Sequence, residues 1–173
     1  MVGASPVPAP TLTILQVEKS IVYSLKKIYS LEKNLQSMRR IDLIVVHCSA
    51  TRCNRPFSVL QLIRCHRERF GFTGYHYYIE RNGTVFQTRH EQLVGAHAKG
   101  YNSHSLGVCY EGGYDEQGKE ADTRTTAQKQ ALLALLKRLK QQHPHAMIVG
   151  HRDLPGVKKA CPCFDAAEEY AAL

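Results

Sequence analysis

The stretch Ile41-Asp42-Leu43-Ile44-Val45-Val46-His47-Cys48 decides the fold. Its continuous β-branched run predicts a strand over residues 41–47 that is buried on both faces near the centre of a sheet. A histidine stands at the end of this strand, and open α/β sheets usually place their sites at the carboxyl ends of their strands. His47 is therefore the first candidate site residue.

A second stretch, near the C-terminus, supplies partners for His47. It reads Gly150-His151-Arg152-Asp153-Leu154-Pro155-Gly156, then Lys158-Lys159-Ala160-Cys161-Pro162-Cys163-Phe164. The loop between His151 and Cys161 crosses a Pro/Gly turn and is long enough to bring both side chains to one soft metal ion. Two imidazoles and one thiolate leave tetrahedral zinc one open position for water, as in catalytic sites. We therefore predict a zinc hydrolase with ligands His47, His151 and Cys161.

The remaining patterns predict an α/β fold. Ser58 is an N-cap for a helix to about residue 70, Gly71 suits its end, and Thr125 or Thr126 caps a second helix to about residue 142. The other predicted elements are hairpin strands 74–80 and 84–88 joined by Asn82-Gly83, strands 106–110 and 147–149, and a closing helix at 164–173. This order indicates a mixed sheet flanked by helices.

Composition limits the class of protein. With 173 residues, 43% of them hydrophobic, the chain suits one domain with a real core and an extra segment. The six cysteines lack the spacing of a secreted scaffold, so we predict reduced thiols with a metal ligand among them, and buried thiols at Cys65 and Cys109. The net charge of +8 favours polyanionic partners such as nucleic acid or the bacterial envelope.

The N-terminal segment differs from the rest. Residues 1–10 are small and Pro-rich, which predicts a disordered start or linker, and residues 11–36 have the spacing of an amphipathic helix. We predict an extension at 1–37 before a domain at 38–173, with an unknown partner for its helix. Residues 1–10 carry no Lys or Arg, so we expect no standard signal peptide, and no apolar run is long enough to predict a membrane span.

The chain resembles the zinc-dependent N-acetylmuramoyl-L-alanine amidases of the phage lysozyme type, a family that includes the peptidoglycan recognition proteins. The blocks that carry the resemblance run in the family's order from about residue 40 to 170: Val46-His47-Cys48-Ser49-Ala50-Thr51, Gly74-Tyr75-His76-Tyr77, Arg81-Asn82-Gly83-Thr84-Val85, Ala96-His97-Ala98-Lys99-Gly100-Tyr101-Asn102, Leu106-Gly107-Val108-Cys109, Gly112-Gly113, Gly150-His151-Arg152-Asp153 and Lys159-Ala160-Cys161-Pro162. Three features depart from the family's pattern: the N-terminal residues 1–37, the segment between His151 and Cys161, which contains Pro155-Gly156 and has a length seen in only part of the family, and the second thiol, Cys163.

The resemblance implies a mixed-sheet amidase fold and a peptidoglycan substrate. It implies that His47, His151 and Cys161 hold Zn²⁺, with Cys161 preferred over Cys163 because it lies in the matching block. It also implies that Tyr75 and Lys159 serve the reaction. We assign Tyr75 to orienting or deprotonating the water and Lys159 to stabilising the oxyanion.

The same resemblance puts His97 in the substrate groove, where Lys99 and Asn102 are candidate muropeptide contacts. We give no role to His66, His90, His104, His143 and His145, and we expect His76 to face away from the cleft. Asp153 either orients a ligand histidine or caps a turn.

Two other functions compete with hydrolysis. One is a peptidoglycan receptor without turnover, which the retained Cys161 disfavours. The other is a nucleic-acid or polymerase-binding regulator, which the scattered basic residues disfavour because they form no arginine cluster or aromatic platform. The favoured interpretation is a lysin made in the cytoplasm, released by a separate membrane pore, that cuts the lactyl amide of the cell wall and needs no nucleic acid.

Overall fold

A computed structural model of the chain describes residues 39–173, which form one compact unit. The predicted N-terminal helix lies outside these residues, and the domain boundary at residue 37 stays a prediction. In the described part of the chain, no helix is both long and apolar enough to cross a membrane.

The architecture is a mixed sheet with helices packed on it, which confirms the predicted class. The strands are β1 (Leu43–Cys48), β2 (Thr51–Arg52), β3 (Tyr77–Ile79), β4 (Val85–Gln87), β5 (Ser105–Tyr110), β6 (Gly113–Tyr114) and β7 (Met147–Gly150). The helices are α1 (Val59–Phe70), α2 (Thr126–Gln142) and α3 (Ala166–Glu169), with 3₁₀ turns at Asn102–His104 and His151–Asp153.

Strand β1 is an inner strand of the main sheet, as its apolar run predicts. The strand order is β4-β3-β5-β1-β7, with β1 parallel to both β5 and β7, and β4 antiparallel to β3. Short strands β2 and β6, which the sequence did not reveal, form a separate parallel pair. The parallel pairing brings the carboxyl ends of β1, β5 and β7 to one edge of the sheet. His47 and His151 lie at this edge.

Alternation along β1 separates two cores. Ile44 and Val46 face the main core, where they meet the buried leucines of α2, and Leu43 and Val45 face a smaller cluster with Ala98 and Leu154 on the other side. Because side chains alternate along a strand, His47 continues the Leu43 and Val45 side. The strand period therefore directs this histidine away from α2.

The capping signals predicted the helix ends well. Ser58 accepts a hydrogen bond from the Gln61 amide and Gly71 adopts a left-handed φ of 77°, so α1 begins and ends as expected. Thr125 caps α2 in the same way through Gln128. Both caps are capping boxes, in which each residue satisfies the other's backbone amide.

Three local expectations were wrong. Cys65 is exposed, because Leu62 alone is buried on the narrow apolar face of α1, whereas Cys109 is buried as predicted. Strand β3 starts at Tyr77 rather than residue 74. The predicted closing helix at 164–173 is only the single turn Ala166–Glu169, because the aromatic residues flanking that turn, Phe164 and Tyr170, pack into the main core.

Candidate metal centre

His47, His151 and Cys161 converge at the carboxyl edge of the sheet. Each offers one donor atom, and the three atoms lie within 4.8 Å of one another. Register explains the convergence of the histidines: Val46 pairs with Gly150 across β1 and β7, and the residue that follows each of them along the chain is a histidine. The imidazole centroids are 4.6 Å apart.

The loop after β7 brings Cys161 back to this edge. Its Sγ lies 3.7 Å from His47 Nδ1 and accepts a hydrogen bond from the Cys48 backbone N–H at 3.3 Å. Asp153 Oδ2 accepts from the Gly150 N–H at 2.6 Å, so this carboxylate caps the turn that carries His151. Of the two roles considered for Asp153, the structure supports capping.

The protonation states of the three donors suit a soft cation. Burial holds the pKa of His47 well below its usual value, and burial also lowers the pKa of His151. Hydrogen bonding with the Cys48 thiol lowers the pKa of Cys161, and the backbone amide of Cys48 adds to the effect. Two neutral imidazoles and a readily ionised thiol are the forms in which these side chains bind a metal.

Tyr75 and Lys159 line the same cavity, of about 360 Å³, as His151 and Cys161. The Tyr75 ring is 5.0 Å from the His47 ring, and burial raises the pKa of its hydroxyl well above the usual value. The exposed Lys159 ammonium lies close enough to contribute to the lowered pKa of both ligand histidines. The structure therefore brings both predicted catalytic side chains to the predicted metal ligands.

The candidate substrate residues line an adjoining groove of about 550 Å³. Lys99 is exposed at its edge. Asn102 also lines the groove, but its Oδ1 accepts the backbone N–H groups of His97 and Ala98 at 2.9 and 2.8 Å, so this oxygen holds the loop together. His97 lines both cavities and contacts His47. Their contact with substrate stays a prediction.

Two histidines that received no role lie next to the site. His66 lines the metal cavity, with its ring 5.0 Å from Tyr75 and its Nδ1 accepting the Gly74 N–H at 2.9 Å. His76 is fully buried, and its ring stands edge-on to His97 at 5.6 Å. The sequence did contain a signal for His66, because this residue lies on the apolar side of α1. The sequence contained no such signal for His76, because the contacts of this residue come from distant loops.

Comparisons with known proteins agree with this geometry. A family model described as N-acetylmuramoyl-L-alanine amidase matches residues 37–164. The endolysin of Klebsiella phage KP32 is 45% identical over 123 residues, covering 70% of this chain and 80% of that protein. The endolysin of Escherichia phage T7 is 43% identical over 125 residues, covering 72% and 82%.

A solved structure supports the same assignment. N-acetylmuramoyl-L-alanine amidase LysC from Clostridium intestinale URNW matches with a TM-score of 0.61 and 28% identity, covering 77% of this chain and 83% of that one. The family model spans most of the chain, and the two endolysins exceed 40% identity over most of their own length. The chain therefore belongs to the N-acetylmuramoyl-L-alanine amidase family.

Proposed function

We propose that this protein hydrolyses bacterial peptidoglycan at the amide between the lactyl group of N-acetylmuramic acid and L-alanine. The observation that carries the proposal is the convergence of His47, His151 and Cys161 within 4.8 Å beside an open groove, in a member of this family. A receptor without turnover would not need this donor set. The substrate places its site of action at the bacterial cell wall.

Zn²⁺ fits the three donors. Imidazole nitrogen and thiolate sulfur are its preferred protein ligands, and three of them leave one position open. When bound, Zn²⁺ lowers the pKa of a coordinated water to about 7 and polarises the scissile carbonyl. The protein's part is to hold His47 and His151 neutral and Cys161 ionised, which burial and the Cys48 amide favour.

Tyr75 acts as a hydrogen-bond donor in this proposal. Burial raises the pKa of its phenol, so the hydroxyl keeps its proton at neutral pH. Of the two roles considered from the sequence, orienting the nucleophile by donating a hydrogen bond therefore suits Tyr75 better than deprotonating it. The Tyr75 ring lines the metal cavity and contacts the rings of His47 and His66.

Lys159 supplies positive charge for the oxyanion, and its removal gives a direct test. We expect Lys159→Ala to lower kcat by about 100- to 1,000-fold, the usual effect of losing one oxyanion donor, while zinc content stays at the wild-type value. Lys137→Ala is the matched control, because that lysine is exposed on α2, outside both cavities. Near-wild-type turnover in zinc-loaded Lys159→Ala would remove this residue from the mechanism.

The reaction itself is tested by counting new amino termini. Purified peptidoglycan treated with the protein should release alanine N-termini, a chelator should stop the release, and added Zn²⁺ should restore it. Mass spectrometry of the products should show stem peptides that begin with L-alanine and glycan strands with intact lactyl groups. A zinc-loaded protein that binds peptidoglycan and releases no amines would instead be a receptor.

A further inference from the structure

The contacts of His47 extend beyond the three candidate metal ligands. Its Nδ1 faces Cys161 Sγ at 3.7 Å, while its Nε2 lies 3.1 Å from His97 Nδ1. The two imidazole rings meet edge-on, at an interplanar angle of 87°. His47 is 1% exposed, so these two neighbours account for both of its ring nitrogens.

This arrangement assigns the protons along a chain of groups. A nitrogen that binds a metal carries no proton. If His47 presents Nδ1 to the metal, its proton is therefore on Nε2. That N–H then donates to His97 Nδ1, which leaves the His97 proton on Nε2. Ser105 Oγ lies 3.4 Å from His97 Nε2 and can accept this proton, while its own hydroxyl donates to the Tyr101 carbonyl at 2.8 Å.

The fold holds the His97 ring in a slot. A Cβ at Gly107 would lie 2.6 Å from His97 Cγ, and one at Gly95 would lie 2.8 Å from Cδ2, so both positions need glycine for the ring to fit. His76 packs against the same ring and is itself fixed, since its Nδ1 accepts the Gly107 N–H at 3.0 Å. Contact with substrate alone would not require the ring to be held from the inner side.

We propose that His97 is a positioning residue for the metal ligand His47. By accepting the Nε2–H, it selects the tautomer of His47 that presents a free Nδ1 to the metal, and Ser105 selects the tautomer of His97 in turn. The inference rests on the proposed metal centre and adds to it a role that lies inside the protein. It makes His97 a determinant of metal affinity, whether or not the ring also contacts the muropeptide.

The test measures Zn²⁺ affinity by competition with a chromophoric chelator, in the full-length protein. His97→Leu removes the acceptor and should weaken zinc binding about 10- to 100-fold, the usual cost of losing a partner of a ligand histidine. His97→Asn can place its Oδ1 near the position of Nδ1 and should stay within about threefold of wild type. His90→Leu is the matched control, because His90 is exposed and lies outside both cavities.

A second variant covers the case in which His97→Leu does not fold. Ser105→Ala breaks the outer end of the chain and should weaken zinc binding about 2- to 10-fold, as expected for one hydrogen bond. The proposal is overturned if folded His97→Leu, or Ser105→Ala in its place, binds zinc as tightly as wild type. A wild-type protein that takes up no zinc would refute the metal centre itself. That outcome is distinct from a failure of the proposed positioning role of His97.

Discussion

Cys161→Ser is expected to release the metal and abolish hydrolysis. Serine offers a neutral hydroxyl in place of a thiolate, and zinc binds a thiolate much more strongly than a hydroxyl. Loss of an outer hydrogen-bond partner already costs about 10- to 100-fold in metal affinity, so loss of a ligand should cost more than about 100-fold. Zinc content after dialysis and the release of alanine N-termini should fall together.

Cys163→Ser is the matched control for this prediction. The Cys163 thiol lies two positions along the same loop, with its Sγ 3.8 Å from that of Cys48 and its backbone at φ 69°. Its side chain contacts the main core, so serine should cost some stability and leave zinc stoichiometry at one. If Cys163→Ser loses the metal while Cys161→Ser retains it, the thiolate ligand has been assigned to the wrong cysteine.

Arg124→Met is expected to lower the free energy of unfolding by about 3 kcal/mol. The Arg124 side chain is 1% exposed, pairs with Asp122 at 2.8 Å and Glu169 at 2.7 Å, and stacks 3.2 Å above the Phe164 ring. Removing one partner of a buried ion pair costs about 3–5 kcal/mol. We expect the lower end, because both carboxylates are partly exposed and water can solvate them. Urea unfolding measures the difference.

The control and the pH dependence make this prediction specific. Arg40→Met removes an arginine from an exposed pair with Asp42, at 2.7 Å, and should change stability by less than about 0.5 kcal/mol.

Hydrogen bonds from Arg124 hold the pKa of Glu169 below its ordinary value. That stabilisation is complete above the unfolded pKa of about 4.3 and is lost as the pH falls through the folded pKa. The gap between wild type and Arg124→Met should therefore shrink below about pH 4; a constant gap would argue against pairing as its cause.

The Arg124 cluster also matters for the metal loop. Phe164 follows directly after Cys161-Pro162-Cys163, and its ring contacts the Arg124 guanidinium and the Tyr110 and Tyr170 rings. The Tyr110 hydroxyl donates to the Pro162 carbonyl at 2.6 Å. The segment that carries the candidate thiolate ligand is thus anchored to Tyr110 of β5 and to Tyr170, which follows α3.

The sequence by itself determined the features that depend on neighbours along the chain. The starts of α1 and α2 followed from Ser58 and Thr125, because a capping box is complete within four residues. The buried run ending at His47 predicted an inner strand, since only a strand covered on both faces is apolar throughout. The family and the candidate donors His47, His151 and Cys161 followed from motif blocks, whose order is a property of the sequence.

Only the tertiary structure decided which of these features meet. His47 and His151 lie side by side because β1 pairs with β7, a register that no local pattern specifies. The single turn of α3 was set by the packing of Phe164 and Tyr170 into the main core, which overrides local propensity. The His47–His97 contact and the Arg124 cluster join residues about 50 positions apart. Such contacts form only when distant segments of the chain pack together, so their physical cause is the fold and not the stretch of chain in which each residue stands.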